Sequence, residues 1–140
     1  MGKVQILAVL TMDGCLSSEL YDKAHQDLCL DRCGLDEIRK RAFYRVTPDY
    51  SISMLHEWRK DCTNIRYLAE ATPDTADYIN GLLRMHAVDE IILYTVPFIS
   101  GSGQHFFKSA LPEQHWTLSS LKSYPNGVCR IIYILDKKAR

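Results

Sequence analysis

The segment Gln5–Leu10 constrains the fold most, because every residue after its first glutamine is apolar. A strand with one face in water alternates polar and apolar residues, whereas a strand covered on both faces does not. We therefore predict a central strand with protein on both faces of its sheet. The segment Thr11–Gly14 follows, and its Asp13-Gly14 pair is typical of a turn.

Residues 65–96 have the pattern of a strand, a helix and a second strand. Ile65–Ala69 and Glu90–Val96 are the two apolar segments, and between them Thr72 and Pro73 are typical of an N-cap and a first helical residue. The helix would place four residues on one apolar face: Ile79, Leu82, Leu83 and His86. A crossover of this length joins parallel strands, so we predict parallel pairing here.

Three further helical patterns lie between residues 18 and 63. The first follows Ser18, a plausible N-cap, and ends at Gly34, as helices often end at glycine. The second contains Leu35, Ile38 and Ala42, and the third contains Met54, Leu55 and Trp58. Pro48 separates these last two patterns, but their order in the packed domain does not follow from the sequence.

The C-terminal part of the chain predicts a hairpin. Trp116–Leu121 and Val128–Leu135 are the candidate strands, and Asn126-Gly127 between them is a strong hairpin turn. No repeat, linker or low-complexity segment interrupts the chain. We predict one α/β domain over residues 1–140, with a mixed sheet that is parallel early and antiparallel at its C-terminal end.

Composition and charge exclude several classes of protein. Seventeen Lys and Arg residues balance seventeen Asp and Glu residues, so the chain lacks the basic surface typical of nucleic-acid binders. The longest uncharged apolar stretch, Ile91–Ile99, is about half of the ~20 residues that a membrane-spanning helix needs. Five irregularly spaced cysteines do not form a disulfide framework. We expect a cytoplasmic protein with neither nucleic acid nor membrane as a partner.

A set of one histidine and two cysteines is a candidate for metal binding, and a single cysteine is a candidate for thiol chemistry. His25, Cys29 and Cys33 would form one stripe on a helix, but eight residues span ~12 Å of axis, too far for all three to bind one ion. We interpret the stripe as a packed helix face and expect no metal site. Cys15 has no histidine or basic residue beside it in the sequence, which favours a structural role.

Three segments together resemble the dihydrofolate-reductase-like family, in particular the C-terminal reductase domain of the bifunctional riboflavin-biosynthesis deaminase/reductase. Ile6–Ser17, ILAVLTMDGCLS, is similar to the family's opening strand and turn. Val88–Phe107, VDEIILYTVPFISGSGQHFF, is similar to its Asp-Glu strand, proline, Gly-x-Gly and phenylalanine signature. Trp116–Leu135 resembles its closing hairpin. The resemblance covers about half of the chain.

The resemblance implies an NADPH-dependent reductase of a small heterocyclic or ribosylamino-type substrate, and a homodimer. Asp13 would be the catalytic acid or orienting group, although an Asp-Gly turn alone also explains it. The cofactor-binding positions implied in the same way are Ala8, Gly14, Thr72, Thr75, Gly101 and Gly103. Ala8 would admit the nicotinamide near the first strand, and Thr72 to Thr75 would face the phosphates. The two glycines of Gly-x-Gly are equally explained by the turn they form.

The chain departs from this family where the phosphates would bind. Relatives place a Gly-Gly pair between a strand and a helix, whereas residues 68–74 contain no glycine and include Glu70 and Asp74. Cys15 stands where relatives often carry lysine or arginine. Two alternatives therefore stay open beside the reductase: a degenerate domain that has lost NADPH, and a binder of another ligand in the same cleft.

Overall fold

The computed structural model describes residues 2–16, 34–61, 65–97, 99, 101, 104–108 and 111–136. Its strands are β1 (Lys3–Leu10), β2 (Cys15–Leu16), β3 (Tyr44–Arg45), β4 (Arg66–Glu70), β5 (Glu90–Thr95), β6 (Gln104–His105), β7 (Trp116–Ser123) and β8 (Cys129–Leu135). Its helices are α1 (Leu35–Arg41), α2 (Ile52–Asp61) and α3 (Ala76–Arg84). The predicted helix after Ser18 and the stripe of His25, Cys29 and Cys33 lie outside the described residues.

Six strands form one mixed sheet in the order β3-β4-β1-β5-β8-β7. The first four are parallel, and β8 and β7 continue the sheet as an antiparallel hairpin. This confirms the predicted α/β fold class. The prediction for β4 and β5 was wrong in one respect: the two strands run parallel, but β1 lies between them and pairs with both. The crossover through α3 therefore passes over one strand.

The central position of β1 explains its apolar sequence. Seven of its eight residues are buried, and alternate side chains point to opposite faces of the sheet. Ile6 and Ala8 pack into the core under α2 and α3, whereas Leu7 and Val9 pack into the core beside α1. A strand with a core on each face has no position left for a solvated side chain, which confirms the interpretation of Gln5–Leu10.

Helix α3 begins three residues later than the Thr72-Pro73 pair predicts. Thr75 is its N-cap residue. Thr72 and Thr75 are hydrogen-bonded to each other in a turn that precedes the first helical residue. The helix ends before His86, which is exposed and has a φ of 54°, so His86 is not part of the apolar face. Ile79, Leu82 and Leu83 are buried as predicted.

The hairpin and two short strands complete the described structure. β7 and β8 pair on either side of Asn126-Gly127, and a register shift between Leu118 and Ser120 interrupts their ladder. β2 pairs antiparallel with β6, so the turn after β1 lies against the segment around Gln104. The sequence did not indicate β2, β3 or β6, since each has only two residues.

Candidate functional site

The carboxyl ends of β1, β4 and β5 meet at one edge of the sheet, where open α/β folds place their ligands. Asp13 lies at this edge in the turn after β1 and is half-buried. The buried hydroxyl of Thr11 donates to its Oδ1, and the amide of Cys15 donates to Thr11 Oγ1 over 3.0 Å. The turn is closed by the Gly14 amide, which donates to the Thr11 carbonyl over 3.0 Å. Local bonds thus fix the direction of the Asp13 carboxylate.

Asp13 also joins this turn to the Gly-x-Gly segment. The backbone amide of Gly101 donates to Asp13 Oδ2 over 3.0 Å, across 88 residues of sequence. Gly14 and Gly101 both have positive φ, 78° and 72°, and a Cβ on either glycine would meet no protein atom within 4 Å. Both glycines therefore serve the backbone conformation and both face open space beside the carboxylate. Gly103 lies outside the described residues.

Cys15 has a histidine beside it in space. Its buried thiol lies 3.8 Å from His105 Nδ1, because the pairing of β2 with β6 sets these two residues opposite each other. The sequence indicated no such neighbour, since ninety residues separate the pair and β6 has only two residues. His105 is exposed, whereas Cys15 is buried.

Thr72 and Thr75 are together at the end of β4, but their polar groups are used within the chain. The Thr72 amide donates to Thr75 Oγ1 over 2.8 Å, and the Thr75 amide donates to the Thr72 carbonyl over 3.1 Å. The Thr75 hydroxyl donates to the Glu70 carbonyl over 2.9 Å, and the Ala71 amide donates to the Leu7 carbonyl over 2.7 Å. The amides of residues 71, 72 and 75 therefore do not form a phosphate cradle.

Side-chain cations lie beside this turn instead. Arg39 in the last turn of α1 donates to Glu70 Oε1, and Arg45 in β3 lies 3.8 Å from Glu70 Oε2. Two guanidinium groups thus face the Glu70 carboxylate. Glu70, which the sequence analysis counted against an anion, is compensated. Asp74 is exposed. The sequence could not indicate the cluster, because its members come from three separate elements.

Ala8 is placed differently from the remaining candidates. Its side chain is fully buried in the core under α2 and α3, and its backbone is paired with Leu93 of β5. It contributes to the packing of the sheet and does not line the edge where Asp13 lies.

Among the described residues no group of three or more His, Cys, Asp or Glu side chains could hold a metal ion.

Asn80 supports the site from within the core, and the sequence analysis did not identify it. Its side-chain amide donates to the Ala76 carbonyl over 2.7 Å and to the Phe106 carbonyl over 2.8 Å. Its carbonyl oxygen accepts from the Lys108 amide over 3.0 Å. Asn80 and Phe106 are both fully buried. This helix residue therefore anchors the segment that follows the Gly-x-Gly loop.

Known structures share this arrangement of elements. A putative riboflavin-biosynthesis protein from Shewanella sp. PV-4 superposes with a TM-score of 0.63 at 12% identity, covering 96% of this chain and 99% of that one. RibD from Acinetobacter baumannii gives 0.58 at 11% identity, covering 98% of this chain and 59% of that one. The riboflavin-biosynthesis reductase Rib7 of Saccharomyces cerevisiae gives a TM-score of 0.51 at 16% identity, covering 97% of this chain and 89% of that one. No protein-family model and no curated protein matches the sequence.

These likenesses define the fold. The chain has the dihydrofolate-reductase-like architecture of riboflavin-biosynthesis reductase domains, as the three resembling segments implied. It spans about three fifths of the A. baumannii protein. At identities between 11% and 16% the likeness is one of fold, and the chemistry has to be argued from the residues of this chain. No helix in the described part of the chain is long and apolar enough to cross a membrane.

Proposed function

We propose that this chain is an NADPH-dependent reductase of the riboflavin-biosynthesis type, acting on a small heterocyclic or ribosylamino substrate. The observation that carries the proposal is the edge of the sheet where β1 and β4 end. It presents a fixed carboxylate, Asp13, and two guanidinium groups, those of Arg39 and Arg45, beside Glu70. The fold of its structural neighbours supports the same assignment.

The residues fit the cofactor's phosphates through side chains and not through backbone amides. The amides at 71, 72 and 75 are bonded within the chain, so they cannot take the part of a Gly-Gly cradle. Arg45 is 59% exposed and lies 3.8 Å from its carboxylate partner, so it can turn toward a phosphate at little cost. Arginine binds phosphate with two parallel N–H groups, which is a stronger and more directional contact than one amide gives.

When bound, NADPH would supply the hydride, and the chain's own groups would orient the substrate. Asp13 accepts hydrogen bonds from the Thr11 hydroxyl on Oδ1 and from the Gly101 amide on Oδ2. A substrate N–H at this edge would therefore meet a carboxylate whose direction is already set. Such prior orientation lowers the entropic cost of reaction.

Binding of NADPH tests the proposal directly. A ligand at 100 times its dissociation constant stabilises the fold by ~2.7 kcal/mol, so NADPH is expected to raise Tm and to quench tryptophan fluorescence. Arg45→Ala removes a charged phosphate contact and is expected to weaken NADPH roughly tenfold or more. Arg84→Ala, at the other end of α3, is the matched control and should bind like the parent chain. Oxidation of NADPH with 5-amino-6-(5-phosphoribosylamino)uracil then tests the reaction, and Asp13→Asn should slow it.

A second candidate is a degenerate domain of this fold that binds no NADPH. The observation that favours it is the turn of Thr72 and Thr75, whose amides are closed by internal bonds. The two candidates differ in one measurement. A chain that shows neither a shift in Tm nor fluorescence quenching at millimolar NADPH is the degenerate domain, and the reductase proposal is then wrong.

We also propose that the chain forms a homodimer through the hairpin. Leu118 and Leu121 are 52% and 62% exposed on β7, an edge strand of the sheet. Leu118 pairs with Tyr133 of β8, and Leu121 pairs with Ile131. Because of the register shift between Leu118 and Ser120, both leucines lie on the same face of the hairpin. Sedimentation velocity should give a dimer for the parent chain and a monomer for Leu121→Lys. A parent chain that sediments as a monomer at 100-fold different loadings would contradict this.

A further inference from the structure

A cavity of about 230 Å³ lies at the β3 edge of the sheet, away from Asp13. Four of its five lining residues are aromatic: Tyr44, Tyr50, Trp58 and Tyr67, with Ile65 as the fifth. The drug-sized sites of proteins are typically about 300–1,000 Å³, so this cavity suits a smaller molecule of one or two fused rings. The proposed reductase chemistry gives it no role.

The rings of this cavity form a row with similar orientations. Tyr44 and Tyr67 lie at 8° to each other with centroids 5.6 Å apart, and Trp58 lies at 26° to Tyr67 with centroids 6.3 Å apart. Centroid separations of this size are typical of offset stacking, in which neighbouring rings overlap only in part. Tyr50 closes the row at 73° to Trp58, so its edge points toward the indole.

The cavity is held in place before any ligand binds. Tyr67 is 1% exposed, and the Tyr78 hydroxyl donates to the Tyr50 carbonyl over 2.7 Å, which fixes the backbone at the closing ring. Only Tyr44 is largely exposed, at 44%, and it stands at the mouth on the edge strand. A site whose rings are already fixed loses little entropy on binding.

Its position separates it from the candidate active site. A Cβ on Gly2, just before β1 begins, would lie 3.1 Å from the Tyr67 ring, so the cavity is near the amino ends of the parallel strands. Asp13 and Glu70 lie at their carboxyl ends. Tyr67 and Glu70 are three residues apart on β4, which is roughly 10 Å along a strand.

The lining selects the chemistry of the ligand. None of the five lining residues carries a charge at neutral pH, so an anion or a strongly hydrated cation would lose its hydration without a partner. Cages for quaternary ammonium groups surround the cation with ring faces on several sides, whereas here three rings are nearly parallel. Nearly parallel rings along a cavity suit one more planar ring in offset stacking.

We propose that this aromatic cavity is a second binding site, which takes a neutral planar heteroaromatic ring stacked in the row of Tyr44, Tyr67 and Trp58. Tyr44 adjoins Arg45 on β3, but successive side chains of a strand point to opposite faces, so Tyr44 lies on Tyr67 and Arg45 on Glu70. Tyr44 is the residue that would close over the ligand, because it is the most exposed of the three and lies on the edge strand.

Benzimidazole, a neutral bicyclic heteroaromatic at pH 7.5, is the probe. Titration is followed by NMR on the two indole N–H signals, which a Trp116→Phe variant assigns. The Trp58 signal should shift in a saturable way while the Trp116 signal stays in place. Tyr44→Ala removes one stacking partner and should weaken binding about tenfold, whereas Tyr44→Phe keeps the ring and should bind like the parent chain.

Two further probes separate the proposal from its competitors. Cyclohexanol is apolar without being aromatic, and tetramethylammonium is a cation that an aromatic cage would prefer; neither should displace benzimidazole. The proposal is overturned if benzimidazole leaves the Trp58 signal unchanged up to its solubility limit, or if Tyr44→Ala binds it equally well while remaining folded by circular dichroism. Tighter binding of tetramethylammonium than of benzimidazole would identify the cavity as a cation cage and would also overturn it.

Discussion

The side-chain amide of Asn80 donates a 2.8 Å hydrogen bond to the backbone carbonyl of Phe106. This bond joins helix α3 to the segment after the Gly-x-Gly loop, and Asn80 is fully buried where it forms. The same side chain accepts from the Lys108 amide, so one residue serves two backbone groups of the segment. Asn80 therefore anchors the chain on the C-terminal side of the loop that contains Gly101.

Replacing Asn80 should destabilise the chain more than an ordinary substitution does. Asn80→Ala leaves the Phe106 carbonyl and the Lys108 amide without this partner. Each unsatisfied buried group costs about 1–3 kcal/mol, so we expect a loss of roughly 2–6 kcal/mol. Urea denaturation measures it. Glu113→Ala, at a side chain that is 93% exposed, should stay within about 0.5 kcal/mol. Equal midpoints for Asn80→Ala and the parent chain would show that the network is not needed.

The sheet could be predicted from the sequence because its strands and α3 have strong local patterns. Gln5–Leu10 is apolar on both faces, and Asn126-Gly127 fixes a hairpin. The strand order could not be predicted, because nothing within residues 65–96 indicates that β1 inserts between β4 and β5. Two-residue strands such as β6 have too little pattern of their own and form only through pairing with distant residues.

The buried ion pair of Arg59 and Asp89 should stabilise the fold far more than the surface pair of Lys40 and Asp36. Arg59 Nη1 lies 3.4 Å from Asp89 Oδ1, and Asp89 Oδ2 accepts from the Val4 amide over 2.9 Å. Their side chains are 9% and 20% exposed, so Asp89→Ala leaves a buried cation and should cost about 3–5 kcal/mol. Asp36→Ala, on the exposed pair, should cost at most about 0.5 kcal/mol. Thermal and urea unfolding of both variants make the comparison, which similar losses would contradict.

Substitution by alanine should destabilise the chain to different extents at two glycines with positive φ. A Cβ on Gly127 would lie 3.2 Å from Pro97 Cγ, whereas a Cβ on Gly101 would meet nothing within 4 Å. Both substitutions force alanine into the left-handed region, at a cost of about 1–2 kcal/mol. Gly127→Ala adds a steric conflict with the Pro97 ring and should be the more destabilising of the two. Equal unfolding midpoints would show that Pro97 moves aside freely.

The candidate site was harder to predict than the fold, because its partners come from distant parts of the chain. Asp13 could be named from its Asp-Gly turn, but its bond to Gly101 depends on a loop 88 residues away. Glu70 was counted as an isolated negative charge, since the two arginines that face it lie on α1 and β3. A sequence pattern gives the type of each side chain, and only the packed elements give its neighbours.

Stability should fall at alkaline pH partly through Tyr78. Burial raises the pKa of Tyr78 above its ordinary value of 10.0, because its ionised form would lose hydration beside Tyr50. In the unfolded chain the phenol ionises near pH 10, while in the folded chain it keeps its proton to higher pH. The folded state therefore binds more protons above pH 10, so this contribution is complete below pH 10 and is lost as pH rises through the folded pKa. The difference in unfolding free energy between the parent chain and Tyr78→Phe, measured from pH 8 to 11, should narrow or reverse above pH 10. Tyr133→Phe serves as the control because it removes a phenol from β8, in the antiparallel part of the sheet. An identical pH profile for all three chains would show that Tyr78 is not the group responsible.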